Sequence, residues 1–164
     1  EDIVVVDSKG VPGDWHPRYQ NSVKTYEYHI LNREMPDPLR RRDTWHVSFP
    51  LDLDSMRKAA DYLIGEHDFR SFCSVHTGVK TTVRTIYELK IEKTGSLITI
   101  RIKGNGFLYN MVRIIAGTLT EVGRGFRTPE DVRDVLAAGD RDRAGATAPA
   151  RGLILDRIKY GSDN

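Results

Sequence analysis

Cysteine, long apolar runs and paired histidines are scarce or missing in this sequence, and each absence excludes a class of protein. The single cysteine, Cys73, excludes an internal disulfide framework and fits a reducing cytoplasm. The longest apolar runs, residues 3–6 and 114–116, are far shorter than the ~20 residues of a transmembrane helix. No charged-then-apolar signal segment opens the chain, so secretion is not indicated. The five histidines lack the helical spacing of zinc sites, and we expect no metal.

Positive charge is concentrated in the middle of an almost neutral chain. The formal net charge is +2 over 164 residues, yet residues 70–127 hold 10 Lys and Arg against 3 Asp and Glu. Arginine outnumbers lysine by 17 to 8, and its planar guanidinium suits bidentate contact with phosphate. Two interpretations of this basic segment stay open with equal weight. It is either a surface for a nucleic-acid backbone or a solvated face of a globular domain.

Hydrophobic periodicity predicts a single α+β domain with a mostly antiparallel sheet and about three helices packed on it. Alternation of apolar residues predicts strands at 3–6, 23–32, 45–47, 83–93, 97–103 and 151–160. Helical spacing and capping residues predict helices at 54–64, 108–122 and 128–139. Residues 66–82 show no clean period, so we expect a loop there that Phe69 and Phe72 anchor to the core.

The residues reveal no self-sufficient active site. There is no phosphate-binding loop and no serine in a nucleophile elbow, and Cys73 is expected to be a small buried residue. Residues 104–106, Gly-Asn-Gly, could cradle an anion at a helix N-terminus, although a plain tight turn is favoured. Arg113 lies in an apolar helical stretch, so it either has an anionic partner or extends to water. Tyr26 is either a core residue or a ring that stacks on a base.

At these residues the sequence resembles the TruA-type tRNA pseudouridine synthases. Residues 104–119, Gly-Asn-Gly-Phe-Leu-Tyr-Asn-Met-Val-Arg-Ile-Ile-Ala-Gly-Thr-Leu, are similar to the signature of that family. Further similarity follows in chain order at 16–19, 24–28, 65–72, 83–86, 121–125 and 144–155, so that the resemblance covers nearly the whole sequence.

The resemblance implies an isomerase that converts uridine to pseudouridine at tRNA positions 38 to 40, in the anticodon stem-loop. It implies no cofactor, tRNA as partner, a homodimer, a cytoplasmic location and no membrane association. The family's catalytic aspartate lies in a Gly-Arg-Thr-Asp-x-Gly motif that this sequence lacks. We therefore expect residues 1–164 to be the C-terminal half of the pseudouridine synthase fold, without the N-terminal domain and inactive by themselves.

The resemblance also assigns site residues. Arg113 corresponds to the arginine that pairs with the missing aspartate, and Tyr26 corresponds to the tyrosine that stacks on the target base. Phe107, Asn105 and Leu153 are expected to line the substrate pocket, and Arg18, Lys24, Arg84 and Lys103 to hold RNA phosphates. A stand-alone RNA-binding module that never had a catalytic domain is the alternative. A structural domain with a solvated basic surface is the third hypothesis.

Overall fold

The computed structural model describes residues 3–17, 20–74 and 79–161, and there the chain forms one mixed sheet with three α-helices on one face. The strands are β1 (Ser22–Asn32), β2 (Trp45–Val47), β3 (Gly65–Asp68), β4 (Val83–Thr94), β5 (Leu97–Gly104) and β6 (Leu153–Tyr160). The helices are α1 (Leu53–Asp61), α2 (Met111–Gly123) and α3 (Pro129–Ala138). The predicted α+β class is confirmed.

Strand β1 pairs with three other strands of the sheet, whose order is β2-β1-β5-β4-β3. One edge of β1 pairs with β5, and its other edge is shared by β6 along the first part and by β2 along the last three residues. All pairs are antiparallel except β1 with β2. The far edge of β6 has no strand partner in the described part of the chain.

The two faces of the sheet differ because side chains alternate along each strand. Tyr28, Ile100 and Ile102 point to one face, are fully buried and pack with the helices in one core. Glu27 and Arg101 point to the other face, which carries mostly charged and polar side chains. We call these the covered face and the open face.

Capping residues set the helix boundaries. At α3, Thr128 and Asp131 form the predicted capping box, and Gly139 ends the helix in a left-handed conformation with φ 62°. The start of α2 was predicted at 108 and lies at Met111, because Asn110 is left-handed with φ 60° and interrupts the helical backbone. Helix α1 was predicted to reach 64 and ends at Asp61.

Two predictions about regular structure are wrong. Residues 3–6 form no strand and pair with no strand of the described chain, so their side chains are 79% to 94% exposed. The segment that follows Gly65 is not all loop, since β3 pairs with β4. Hydrophobic periodicity does not predict this short edge strand, because its sequence is polar and has no alternating apolar residues. The expected anchors, Phe69 and Phe72, are fully buried, and Cys73 is buried as predicted.

No described helix combines the length and the apolar character that crossing a membrane requires.

Candidate active site at the start of α2

Helix α2 is the most deeply placed helix, and every residue of it is buried except Arg113 and Glu121. Both of these charged residues hold the same piece of chain, residues 144–149, which we call the closing segment. Arg113 Nε donates to the Ala148 carbonyl at 2.7 Å, and Glu121 Oε1 accepts from the Ala146 amide at 3.0 Å. The two charged side chains therefore fix the closing segment at two points along α2.

Backbone contacts bring the closing segment still closer to α2. The Ala148 amide donates to the Arg113 carbonyl at 3.1 Å, and the Gly145 amide donates to Thr118 Oγ1 at 2.9 Å. A Cβ on Gly117 would lie 1.8 Å from the Ala146 carbonyl oxygen, so only glycine fits there. This close approach puts the Ala148 carbonyl within reach of the Arg113 guanidinium.

The Arg113 guanidinium is partly buried and is held by neutral groups alone. Besides the Ala148 carbonyl, it donates from Nη1 to Asn110 Oδ1 at 2.9 Å. Within the described residues, no carboxylate lies within 4 Å of it and Nη2 has no hydrogen-bond acceptor. A guanidinium keeps its charge at any physiological pH, so this site favours an anion from elsewhere.

Asn110 is a site residue that the sequence reasoning missed. It is the one non-glycine residue with positive φ in the described chain, a conformation that asparagine tolerates better than most residues. It precedes α2 as N-cap, yet its side chain makes no capping bond. Instead Oδ1 binds Arg113, and Nδ2 donates to Ser74 Oγ at 2.9 Å. The available signal is an asparagine directly before the apolar helical run, although hydrophobic periodicity alone places it inside the helix.

Tyr26 and Phe107 form an aromatic pair at the end of the covered face. Their ring centroids lie 5.2 Å apart at an interplanar angle of 82°, and both rings are partly buried. Tyr26 sits on β1 between Ile102 of β5 and Leu155 of β6. Leu153, the third apolar residue expected in the pocket, pairs with Tyr28 and packs on the same core. Each ring keeps some exposed surface, which a flat base can cover.

Tyr28 connects β1 with the closing segment. Its ring is fully buried, and its hydroxyl donates to the Pro149 carbonyl at 2.7 Å. Burial raises the pKa of this hydroxyl far above its usual value, and the positive charges of Arg113 and Arg151 oppose the shift only in part. Neighbouring carbonyls of one segment therefore bind Arg113 and Tyr28, and Tyr28 is two residues from Tyr26 on the same face.

Asn105 makes its contacts with β4. Its side-chain Oδ1 accepts from the Thr85 amide at 2.9 Å, and its own amide donates to the Thr85 carbonyl at 3.1 Å. The preceding Gly104 has no room for a side chain, because a Cβ would lie 2.7 Å from the same carbonyl oxygen. These contacts fix the turn that leads to Phe107. Asn105 as a pocket residue stays a prediction.

The four predicted phosphate contacts are not all on one face. Lys24 lies two residues before Tyr26 on β1 and shares the covered face with it. Arg84 lies beside Gly106 and donates from Nη1 to the Thr81 carbonyl at 2.9 Å. Lys103 pairs with Thr25 and points to the open face. Arg18 lies outside the described residues.

The described residues contain no group of three or more His, Cys, Asp and Glu side chains that could hold a metal ion.

Comparison with known proteins shows which family the chain resembles. A family model described as tRNA pseudouridine synthase matches residues 59–161. The chain is 51% identical to a tRNA pseudouridine synthase A of Brevibacillus brevis, 49% identical to one of a Thermoanaerobacter species and 47% identical to a tRNA pseudouridine synthase A 2 of Clostridium perfringens. Each match covers 98% of this chain and 66% of the relative, so the chain spans less than two thirds of their length. The chain belongs to the tRNA pseudouridine synthase family.

Proposed function

We propose that this chain is the C-terminal domain of an enzyme that isomerises uridine to pseudouridine at tRNA positions 38 to 40, in the anticodon stem-loop. The observation that carries the proposal is the Arg113 guanidinium, which neutral groups hold in a partly buried position without a carboxylate from the described residues. In this proposal the carboxylate is the catalytic aspartate of an N-terminal domain outside the sequence.

The reaction breaks the N1–C1′ bond of uridine, turns the base and forms a bond between C5 and C1′. The C5 proton leaves and N1 ends protonated, so the reaction is balanced without a cofactor. The aspartate acts as the covalent catalyst, and Arg113 keeps it ionised and oriented. Since Arg113 has no anionic partner among the described residues, its full charge is available to that aspartate.

Tyr26 stacks on the target base once the nucleotide has left the stem-loop stack. Phe107 packs edge-on against Tyr26 and fixes its ring, and Leu153 adds apolar surface. Asn105 is proposed at the pocket margin. The phosphates beside the target nucleotide are assigned to Lys24 and Arg84, which are near this end of the covered face.

The free edge of β6 supports the proposed N-terminal domain. An exposed strand edge offers unpaired backbone groups to another strand, and Ile154 and Leu155 on β6 are 36% and 46% exposed. A second α+β domain docked here would share the sheet and bring its aspartate beside the start of α2. We further propose that the whole protein is a homodimer that acts on tRNA in the cytoplasm, as the family resemblance implies.

The test is pseudouridine formation by a protein that joins this chain to its preceding coding sequence. We expect an upstream Gly-Arg-Thr-Asp motif and conversion of uridine in an anticodon stem-loop, measured by nucleoside chromatography. The matched control replaces the motif's aspartate by asparagine and should form no pseudouridine. An upstream region without the motif, together with salt-dependent RNA binding and no conversion, would instead support a stand-alone RNA-binding module.

A further inference from the structure

Two β-bulges lie at the same end of the sheet. Strand β4 carries one extra residue, Tyr87, between the residues that pair with Gly104 and Lys103. Strand β6 carries one extra residue, Asp156, between the residues that pair with Tyr26 and Thr25. A bulge interrupts the regular alternation and redirects side chains. Tyr87 is consequently 52% exposed although it lies within a strand.

Three basic side chains lie on the open face near these bulges. Lys103 of β5 and Arg157 of β6 both pair with Thr25, one on each side of β1. Two strand spacings therefore separate them, about 10 Å between their Cα atoms. Lys159 pairs with Val23, farther along the same face. All three basic side chains are exposed.

These three cations are not neutralised by their neighbours. None of them forms an ion pair or a side-chain hydrogen bond within the described residues. The acidic groups nearby have other partners, since Glu88 contacts Lys90 at 3.0 Å and Asp156 contacts Arg101 at 3.5 Å. The end of the open face therefore carries excess positive charge.

The same residues line a surface depression. A cavity of about 250 Å³ is lined by Lys103, Arg157 and Lys159, and also by Arg101 and the two carboxylates of Glu88 and Asp156. It shares Val23 and Lys159 with a larger cavity of about 590 Å³ at the end of the sheet. The larger cavity is lined by side chains that can contact nucleotides, including Asn21, Tyr87, Asn105 and Tyr160.

We propose that this surface, which we call the sheet-end surface, is a second RNA-binding surface. Lys103, Arg157 and Lys159 contact phosphates of an RNA segment away from the target base, and Tyr87 offers a ring for stacking. Because Tyr26 faces the covered side, one nucleotide cannot occupy both places, and the two surfaces hold different parts of one RNA. Amide groups and an exposed aromatic ring beside the cations favour RNA over an acidic protein. The inference rests on the proposed function and adds a binding surface to it.

The test uses the whole enzyme with Lys103, Arg157 and Lys159 all changed to Gln. We expect tRNA binding to weaken at least tenfold at physiological salt, and the slope of log Kd against log salt to fall by about 2 to 3. The value of kcat at saturating tRNA should stay unchanged, because no replaced residue contacts the target base. The matched control changes Lys58, Arg133 and Arg143 to Gln, removes equal charge from the helical side and should alter Kd less than twofold.

The inference is overturned if the sheet-end variant and the control variant bind tRNA equally, or if kcat falls while Kd is unchanged. Both results leave the proposed function intact, since that function fails only if the wild-type enzyme forms no pseudouridine. If the triple variant does not fold, Lys103→Gln and Arg157→Gln are measured singly. Each removes one exposed, unpaired cation and should reduce the salt slope by slightly less than 1.

Discussion

Arg113 and Arg101 lie on opposite sides of the same sheet, and their guanidinium groups have different kinds of hydrogen-bond partner. On the open face, Arg101 contacts the carboxylates of Glu27 and Asp156. On the covered side, Arg113 is bound by the Ala148 carbonyl and the Asn110 amide oxygen. Carboxylates satisfy a charge, whereas neutral acceptors only orient it. Arg101 is thus suited to fastening strands together, and Arg113 is suited to binding an anion that arrives.

The largest expected effect separates these two arginines by activity. In the whole enzyme, Arg113→Ala should lower kcat about 1000-fold or more, because the aspartate loses the charge that keeps it ionised. Its tRNA affinity should stay nearly unchanged. Arg101→Ala, which removes an exposed arginine from the open face, should retain kcat within about twofold. Pseudouridine formation under single-turnover conditions measures the activity of both variants. Equal activity of the two variants would contradict the proposal that Arg113, and not Arg101, acts in catalysis.

A smaller effect is expected from the Tyr26 ring, which is proposed to stack on the target base. Tyr26→Leu should lower kcat about 10- to 100-fold, since stacking of one base on an aromatic ring contributes about 1–3 kcal/mol. Tyr26→Phe keeps the ring and should stay within a few fold of the wild type. The comparison is made from kcat and KM for an anticodon stem-loop. If Tyr26→Leu had the kcat and KM of the wild type, Tyr26 would have a packing role and would not stack on the target base.

Asn110 tests whether orientation by neutral groups matters. Asn110→Gly keeps the left-handed backbone but removes the amide that binds Arg113 Nη1 and Ser74 Oγ, so we expect kcat to fall about tenfold and the free energy of unfolding to fall by about 1 kcal/mol. Asn110→Ala should lose the same activity and about 1 kcal/mol more of folding free energy than the glycine variant, because alanine is strained at positive φ. Thermal melts and single-turnover rates separate the two losses. Full activity of the glycine variant would show that Arg113 needs no such support.

The smallest effect concerns the closing segment that orients Arg113. The Tyr28 hydroxyl has a raised pKa in the folded protein because of its burial, whereas in the unfolded chain it ionises near the ordinary tyrosine pKa of 10.0. Above pH 10 the unfolded state therefore binds fewer protons, and wild-type stability falls as pH rises. The free energy of unfolding of Tyr28→Phe should be about 1 kcal/mol lower than that of the wild type at pH 7. Above pH 10 it should fall less steeply with pH than that of the wild type, and the two slopes should differ by about 1.4 kcal/mol per pH unit.

Urea unfolding of both proteins at pH 9, 10 and 11 measures this difference in slope. Parallel pH profiles for the wild type and Tyr28→Phe would mean that the hydroxyl is not confined between β1 and the closing segment.

The regular parts of the fold were predictable because their sequences are periodic. The alternating residues of β1, β4 and β5 form the core strands as expected, and the Thr128 capping box begins α3. The short edge strand β3 and the late start of α2 were not predictable from periodicity. The first depends on pairing with β4, and the second depends on the left-handed backbone of Asn110.

The candidate site was predictable only in part. Burial of a charge within an apolar run marked Arg113, and the family resemblance assigned its partner. Its acceptors could not be found in the same way, because Ala148 contributes a backbone carbonyl from 35 residues farther along the chain. The opposite direction of Lys103 likewise follows from its register with Thr25, which the sequence of one strand does not specify.

Gly117 lies away from the proposed RNA site, and yet the proposed chemistry depends on it. It lies on α2 one turn beyond Arg113, and its missing side chain is what lets residue 146 touch the helix. An alanine there would lift the chain off α2 and carry the Ala148 carbonyl away from Nε. Activity would then be lost although every residue of the proposed pocket is unchanged. Mutations at this buried contact would therefore have the effect of active-site mutations, although the proposed substrate does not contact Gly117.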